Sequence, residues 1–493
     1  MMDTAAAARA VAGRIVGDSV RFARVTTDSR TLQDGDLFVA LSGERFDGHD
    51  FVAAAFERGA VAALVAADRA DDVTGNLVVA ADPQAALGTL AAHWRRQFTI
   101  PVIVIVGSNG KTTVKEMLAA ILRAHFGDSA VLSTQGNLNN AIGLPLTLLC
   151  IRASHRVAAI ELGMNHRGET ATLAAIAQPT VALVNNAQRE HQEFMSTVAE
   201  VAQEHADLVR TLPEHGIAVL NADDAHVDAW RGAARERKDV GVIEFGLDRA
   251  AAVRGRATPM PDGLGLEIST ATGDVNLVLA VRGRHNASNA LAAAAAALSV
   301  GASLAAVAQG LQAFRPVAGR LAALRAANGA GIIDDTYNAN PDSVRAAIDV
   351  LAAAPAPRWL VLGDMGEVGE GGPGFHREVG DYARTSGIDR LLTAGPLAAE
   401  AVAAFGAGGA HFDSVEALAR EVARTAPADA TLLVKGSRFM RMERVISALA
   451  GGTTPPLHAS HASPQGGTPP PVHPSHASPQ EGGRPRDGPE GAH

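Results

Sequence analysis

Apolar residues in the middle of this chain come in short unbroken runs instead of alternating with polar ones. IPVIVIVG, RVAAIELG and TVALVNNA are too continuous for strands with one wet face, so they predict a parallel sheet buried on both sides. Between them lie longer stretches with helical spacing, beginning with VKEMLAAILRAHF. Each run gives way to Gly, Asn or Glu, and such strand ends are where open α/β sheets bind ligands.

The same grammar returns beyond Pro316 in GIIDDTYNANP, RWLVLGDMGE, RLLTAG and TLLVKGSR. A helix is expected from Ser343 to Ala354, with Pro341 suited to a first helical position after Asn340. The uncharged run Ala290 to Leu311 is too weakly apolar for a membrane span and reads as buried helices. The fold class expected is α/β in three domains: a small α/β N-terminal domain over 1–85, a central P-loop ATPase-like parallel-sheet domain over 86–315, and a C-terminal Rossmann-like α/β domain over 316–450. The remaining 451–493, an imperfect repeat rich in Pro, Gly, Ser and His, is expected to be a disordered tail. Its histidines 458, 461, 473 and 476 could hold a metal weakly, but a tail without a specific ligand is the expectation.

Composition narrows the function. A chain of 493 residues suits about three domains. With 47% hydrophobic and only 4% aromatic residues, the core must be built from alanine, valine and leucine. A net charge of -9 and the lack of a basic stripe argue against a nucleic-acid partner. Cys150 is the only cysteine, which excludes an internal disulfide framework and multi-cysteine metal sites and fits a reducing cytoplasm. No signal peptide is expected at the N-terminus, and no stable membrane insertion. Of 43 basic residues only Lys111, Lys115, Lys238 and Lys435 are lysine, so a lysine in a glycine-rich loop suggests that a compact ammonium is wanted there.

That loop is GSNGKTT. The common phosphate-loop pattern would need glycine at Ile105, and the first glycine comes two residues later, at Gly107. Gly107 and Gly110 would let backbone N–H groups turn to phosphate oxygens, with Lys111 on the terminal phosphates and Thr112 on Mg²⁺. Glu161 and His191 close or follow neighbouring strands and could hold a second divalent ion, although His191 lies in the polar run QREHQE, which reads as a surface loop. GNLNNAIGLP and DDTYNANPDS collect amides, acids and a phenol after buried segments.

Together these motifs resemble the ATP-dependent Mur ligases of peptidoglycan synthesis, whose short phosphate loop reads G-[ST]-x-G-K-[TS]-[TS]. TDSR, GDLFVALSGERFDGHDFV, GNLNNAIGLPLTLL, IELGMNHRGE, VLNADD, GRHNASNALAAAA, PVAGR, DDTYNANPDS, VLGDMGEVG and KGSRFMRME all resemble that family's pattern, in order, from Thr27 to Glu443. The resemblance implies an amide ligase with ATP as cosubstrate and Mg²⁺, acting in the cytoplasm as a monomer. Its branch implies the substrates UDP-N-acetylmuramoyl-tripeptide and D-alanyl-D-alanine. By the same resemblance Gly107, Ser108, Asn109, Gly110, Lys111, Thr112 and Thr113 would bind ATP phosphates, Thr112, Glu161 and His191 the magnesium, and Asn289 the adenine. Arg320 and Asp335 would reach phosphates and ribose; Lys111, Glu161, His191 and Arg320 would be catalytic. Ser29, Arg30, Asp47, Gly48 and His49 would hold the UDP-sugar, Asn137 and Asn140 the sugar-peptide, and Asn338 the dipeptide.

Two positions depart from the pattern. Val106 stands where a threonine is usual. The family commonly carries a lysine, modified to a magnesium-bridging carbamate, about fourteen residues after the metal histidine; EVAQEHADL over Glu200 to Leu208 has none. Either Glu204 or His205 substitutes, or the second ion is held differently. Sibling readings are weaker: TDSR and GDLFVAL disfavour a folylpolyglutamate synthase, and NANP in place of DNPR disfavours the ligase that adds a diamino acid. A nucleotide-binding regulator without activity stays open because of the missing lysine.

Overall fold

The computed structural model describes residues 1–43, 46–260 and 263–450. The tail over 451–493, with His458, His461, His473 and His476 among its residues, lies outside the described residues. Three sheets follow one another along the chain, and the three-domain α/β architecture expected from the sequence is the one observed. The first sheet has five strands in the order Arg14–Val16, Leu77–Ala80, Ala62–Ala66, Asp36–Val39, Arg24–Thr26; only the first pairing is antiparallel.

After Ala80 the chain enters helix Pro83–Arg95. Asp82 caps it by accepting from Gln84 N and Ala85 N, and Pro83 fills a position where an N–H would find no acceptor. This helix packs on helices Gly143–Leu148 and Glu169–Ala177 of the next sheet, and Trp94 Nε1 donates to Ile151 O at 3.0 Å.

The second sheet has nine strands, with Val102–Val106 between Val181–Val184 and Val157–Glu161. All five residues of Val102–Val106 are buried, and they alternate between two cores: Val102, Val104 and Val106 face one cluster, Ile103 and Ile105 the other. Two wet-free faces are why the run lacks polar interruptions. Pairing is parallel from Val131–Ser133 through to Val253–Met260. Beyond that, Gly263–Thr270 and Gly273–Leu279 add an antiparallel edge that the strand-length runs did not announce. Strands Val253–Met260 and Gly273–Leu279 of this edge carry many exposed positions and so the weaker pattern of a half-wet sheet.

The expected buried helices near Ala290 are Arg284–Ser299 and Leu304–Ala313. Every residue from Ala290 to Ala297 is fully buried, and both helices pack on helix Lys111–Phe126.

The third sheet has six strands in the order Ala322–Arg325, Gly331–Asp335, Thr431–Lys435, Arg358–Gly363, Arg390–Ala394, Gly409–Phe412, parallel except at the first pairing. Its first helix is Pro341–Ala352, not Ser343 to Ala354: Asn340 is the N-cap and forms a reciprocal capping box with Ser343. That box satisfies two end N–H groups and fixes the helix start. Among the described residues no helix is long and apolar enough to cross a membrane.

Candidate active site

Strand Val102–Val106 ends in the loop that starts helix Lys111–Phe126. Gly110 sits at φ +82°, and a Cβ there would lie 2.5 Å from Asn289 Oδ1; only glycine takes that backbone and that space. The loop is clamped from the neighbouring strand end. Ser108 N donates to Asn186 O, Asn109 N to Asn186 Oδ1, and Asn185 Nδ2 to both Asn109 O and Asn289 Oδ1. Asn289, with Nδ2 on Asn286 Oδ1, is therefore the floor of the loop. Helix geometry leaves the N–H groups of Lys111, Thr112 and Thr113 without intrahelical acceptors, at the positive end of the dipole. Lys111 Nζ bonds Gly107 O and Ser108 O and lies 3.4 Å from Glu190 Oε2.

Glu161 is buried at the end of strand Val157–Glu161. Its Oε1 accepts from Asn139 Nδ2 at 2.7 Å, and its Oε2 has no hydrogen-bond partner. An orphaned buried carboxylate oxygen beside a phosphate loop suits a divalent cation. Among the described residues no three His, Cys, Asp or Glu side chains converge as a ready cage. Mg²⁺ does not require one, because it keeps waters and phosphate oxygens and takes one or two protein ligands. The residues present therefore fit that ion.

The polar run QREHQE is not the exposed loop that its composition suggests. Glu190 is 6% exposed and the His191 ring 14%. Burial pushes the Glu190 carboxyl up, but Lys111, His205 and His191 outweigh it and hold it at about 2. For His191, burial acts to lower the imidazole, yet the Glu367 carboxylate 2.6 Å from Nδ1, with Glu190, keeps it raised. The two candidates for the missing lysine part company. Glu204 accepts from Gly168 N and Thr170 N at the start of helix Glu169–Ala177 and is occupied there. His205 points its Nε2 to Glu190 Oε1, at 3.5 Å.

The third domain closes on the loop from the other side. Arg320 Cζ lies over the Tyr337 ring, 4.1 Å from its centre, and its Nη2 donates to Thr112 Oγ1 at 2.9 Å. Asp335 receives Lys435 Nζ at 2.6 Å and Leu321 N, and Lys435 also donates to Asn338 O. Asn338 Oδ1 accepts from Ala339 N. Asn340 exchanges amide hydrogen bonds with Asn109. Arg189 spans Asp342 and Glu378, with Nη2–Oδ1 at 2.6 Å and Nη1–Oε2 at 2.7 Å.

The first-domain candidates make their contacts within that domain. Arg30 is exposed and pairs with Asp28; Ser29 gives its carbonyl to Arg58. Asp47 receives His49 N, the His49 ring and Ser42 Oγ on one oxygen and Arg69 on the other. Burial works to raise its pKa, and the His49 and Ser42 bonds hold it well below the usual carboxylate range. The His49 ring is itself fully buried, accepting Ala66 N at Nε2. Both its nitrogens are committed, so what this turn can offer a ligand is Asp47, the Gly48 backbone and the wall around them. In the loop 136–140, Asn140 Oδ1 accepts from Ile142 N and Gly143 N just ahead of helix Gly143–Leu148, while Asn137 is half-buried.

Sequence reasoning passed over Asn139, Asn185, Glu190, Arg189, Tyr337 and Lys435. The scarcity of lysine could have found Lys435, whose side chain is 3% exposed against Asp335. Nothing in QREHQE distinguishes the buried Glu190 from a solvated one.

Three family profiles match the chain in succession: the Mur ligase family, catalytic domain over residues 21–95, the Mur ligase middle domain over 105–297, and the Mur ligase, glutamate ligase domain over 319–438. The UDP-N-acetylmuramoyl-tripeptide--D-alanyl-D-alanine ligase of Escherichia coli (strain K12) is 42% identical over 442 residues, 89% of this chain and 96% of that one. A crystal structure of MurF from Acinetobacter baumannii matches with a TM-score of 0.83 at 32% identity, covering 91% of this chain and 99% of that one. The MurF ligase from Thermotoga maritima in complex with ADP gives 0.77 at 27%, covering 87% and 97%.

Proposed function

This chain belongs to the Mur ligase family, and on that premise we propose that it joins the peptide carboxylate of UDP-N-acetylmuramoyl-tripeptide to the amine of D-alanyl-D-alanine, converting ATP to ADP and phosphate. The observation that carries the reading is Arg320 of the third domain on Thr112 of the phosphate loop, in a chain that matches a ligase of that name over nearly its whole length.

The carboxylate oxygen attacks the γ-phosphorus as the bond to the β-bridging oxygen breaks and ADP leaves. The amine then attacks the acyl-phosphate carbon, phosphate departs with its oxygen, and the nitrogen gives up a proton. The first step brings anion to anion; at an effective dielectric of 20 each unit pair at 4 Å costs roughly 4 kcal/mol. Lys111, Arg320 and the N–H groups of residues 111–113 offset that repulsion with charges already in place. Thr112, Glu161 and His191 are the residues that would hold Mg²⁺, which when bound supplies further charge neutralisation at the phosphates.

Asn289 keeps one lone pair and one N–H beyond its two amide bonds, enough for an adenine edge. Asp335 serves the ribose, Asn338 the dipeptide, Asn137 and Asn140 the sugar-peptide, and the Ser29, Arg30 and Asp47–His49 segments the UDP-sugar. Closure of the third domain over the loop keeps water from the acyl phosphate. The test is phosphate release with each substrate omitted in turn. Release that depends on both the UDP-tripeptide and D-alanyl-D-alanine is expected; release without either one overturns the proposal and favours a sibling ligase or a nucleotide-binding regulator.

A further inference from the structure

Glu190 and His205 take no part in the steps above, yet both are buried beside the phosphate loop, at 6% and 1% exposure. They come from different segments, the loop after strand Val181–Val184 and the middle of helix Val198–Arg210. Glu190 Oε2 lies 3.4 Å from Lys111 Nζ and 3.7 Å from His191 Nε2, and Glu190 Oε1 lies 3.5 Å from His205 Nε2. Glu190 Oε1 has only this long approach of His205 Nε2 and no well-formed hydrogen bond, and His205 Nδ1 has no hydrogen-bond partner.

A simple counter-ion for Lys111 would not need this arrangement. Lys111 already donates to two loop carbonyls, and one carboxylate oxygen suffices to pair it. A buried acceptor left without a donor is costly, by about 1–3 kcal/mol and more for a charged group. Such a cost is sustained where a ligand completes the shell. Glu161 Oε2, buried and without a partner at the end of the strand on the other side of Val102–Val106, shows the same incompleteness.

We infer that Glu190 is a metal-binding carboxylate of the nucleotide site, with His205 behind it as a positioning residue. Fourteen residues separate His205 from His191, the spacing at which the resemblance leads one to expect a modified lysine. The negative charge is here supplied by an unmodified side chain from another segment. Glu204, held by two backbone N–H groups, is excluded from that role.

The inference rests on the ATP-ligase reading, and its test separates the two. Mn²⁺ is titrated into the full chain with a β,γ-imido ATP analogue, free Mn²⁺ is read by electron paramagnetic resonance, and analogue affinity is measured separately without metal. If the unaltered chain binds neither analogue nor Mn²⁺, the ligase reading itself has failed. With that binding present, Glu190→Gln is expected to weaken Mn²⁺ tenfold or more while metal-free analogue affinity holds or rises, because an anion near the phosphates is gone. His205→Gln is expected to weaken Mn²⁺ at least threefold with metal-free affinity unchanged. Mn²⁺ affinity within twofold for Glu190→Gln overturns the inference. So does parallel loss of metal-free analogue binding, which would make Glu190 a structural prop for Lys111. Should Glu190→Gln not fold, Glu190→Asp keeps the charge but draws it back by one methylene: threefold weaker Mn²⁺ supports the inference and unchanged Mn²⁺ overturns it.

Discussion

Arg320 Nη2 donates to Thr112 Oγ1 at 2.9 Å, a bond between residues 208 apart in the chain. The Thr112 hydroxyl of the phosphate loop is thus bonded directly to the third domain. The Tyr337 ring lies beneath the guanidinium, a contact in which a lysine would not replace arginine's planar group.

Arg320→Ala is therefore expected to lower kcat for phosphate release by about 10²–10³, the usual loss when one preorganised charge donor is removed. ATP affinity should change far less. Arg320→Lys is expected to recover only a small part of the loss. Steady-state assays at saturating substrates, with nucleotide binding measured separately, check this.

The fork of Arg189 on Asp342 and Glu378 joins the phosphate-loop side to two helices of the third domain, Pro341–Ala352 and Gly372–Thr385. These groups are partly exposed, so solvent screening limits what they contribute. A double-mutant cycle on Arg189 and Asp342 is expected to give a coupling of about 1–2 kcal/mol in denaturant unfolding, shrinking with added salt. A coupling near zero would remove this pair from the forces that seat the domain.

His376 is fully buried, with Nδ1 donating to Gly372 O and Nε2 accepting from Met365 N. Burial lowers its pKa from 6.5, and protonation would also destroy the Met365 bond. The folded value lies below the unfolded one, so the unfolded chain binds the proton first. Stability is then full above pH 6.5 and falls as pH drops below it. Fluorescence of Trp359 in the third sheet, followed through urea unfolding between pH 7.5 and 5.5, should show that loss, and His376→Gln should flatten it.

With both ring nitrogens of His49 committed to Asp47 and Ala66, its contribution to the first domain is structural. His49→Ala is expected to cost about 2–4 kcal/mol in unfolding, through a cavity and two orphaned polar groups. A variant that keeps its stability but loses UDP-sugar affinity would mean that the ring itself meets the ligand.

What the sequence disclosed followed from local physics. Val102–Val106 declared a doubly buried strand because both its faces are dry, and Asn340-Pro341 declared a helix start because the cap and the fixed φ are local devices. The parallel sheets and the order of three α/β domains came from those signals. The antiparallel edge over Val253–Leu279 stayed hidden because half its residues face water. At the site, Gly107 to Thr113 were legible as a contiguous motif. Glu190 was not, because its burial is imposed by helix Val198–Arg210 and the phosphate loop, both distant in sequence. His49 was read as a ligand contact, and its turn does hold together, yet the burial of its ring depends on Ala66 in a neighbouring strand.

The alanines of helix Arg284–Ser299 set how far this protein can drift. From Ala290 to Ala297 nothing is exposed, and at Gly310 of the adjoining helix a Cβ would come 2.4 Å from Ile121 Cα. Helix Lys111–Phe126 thus rests on a bed one methyl group deep, and the phosphate loop is fixed to the end of that helix. A larger side chain in the bed would tilt the helix and carry Lys111 and Thr112 away from their partners. The alanine content that makes the sequence look plain is what keeps its reactive end in register.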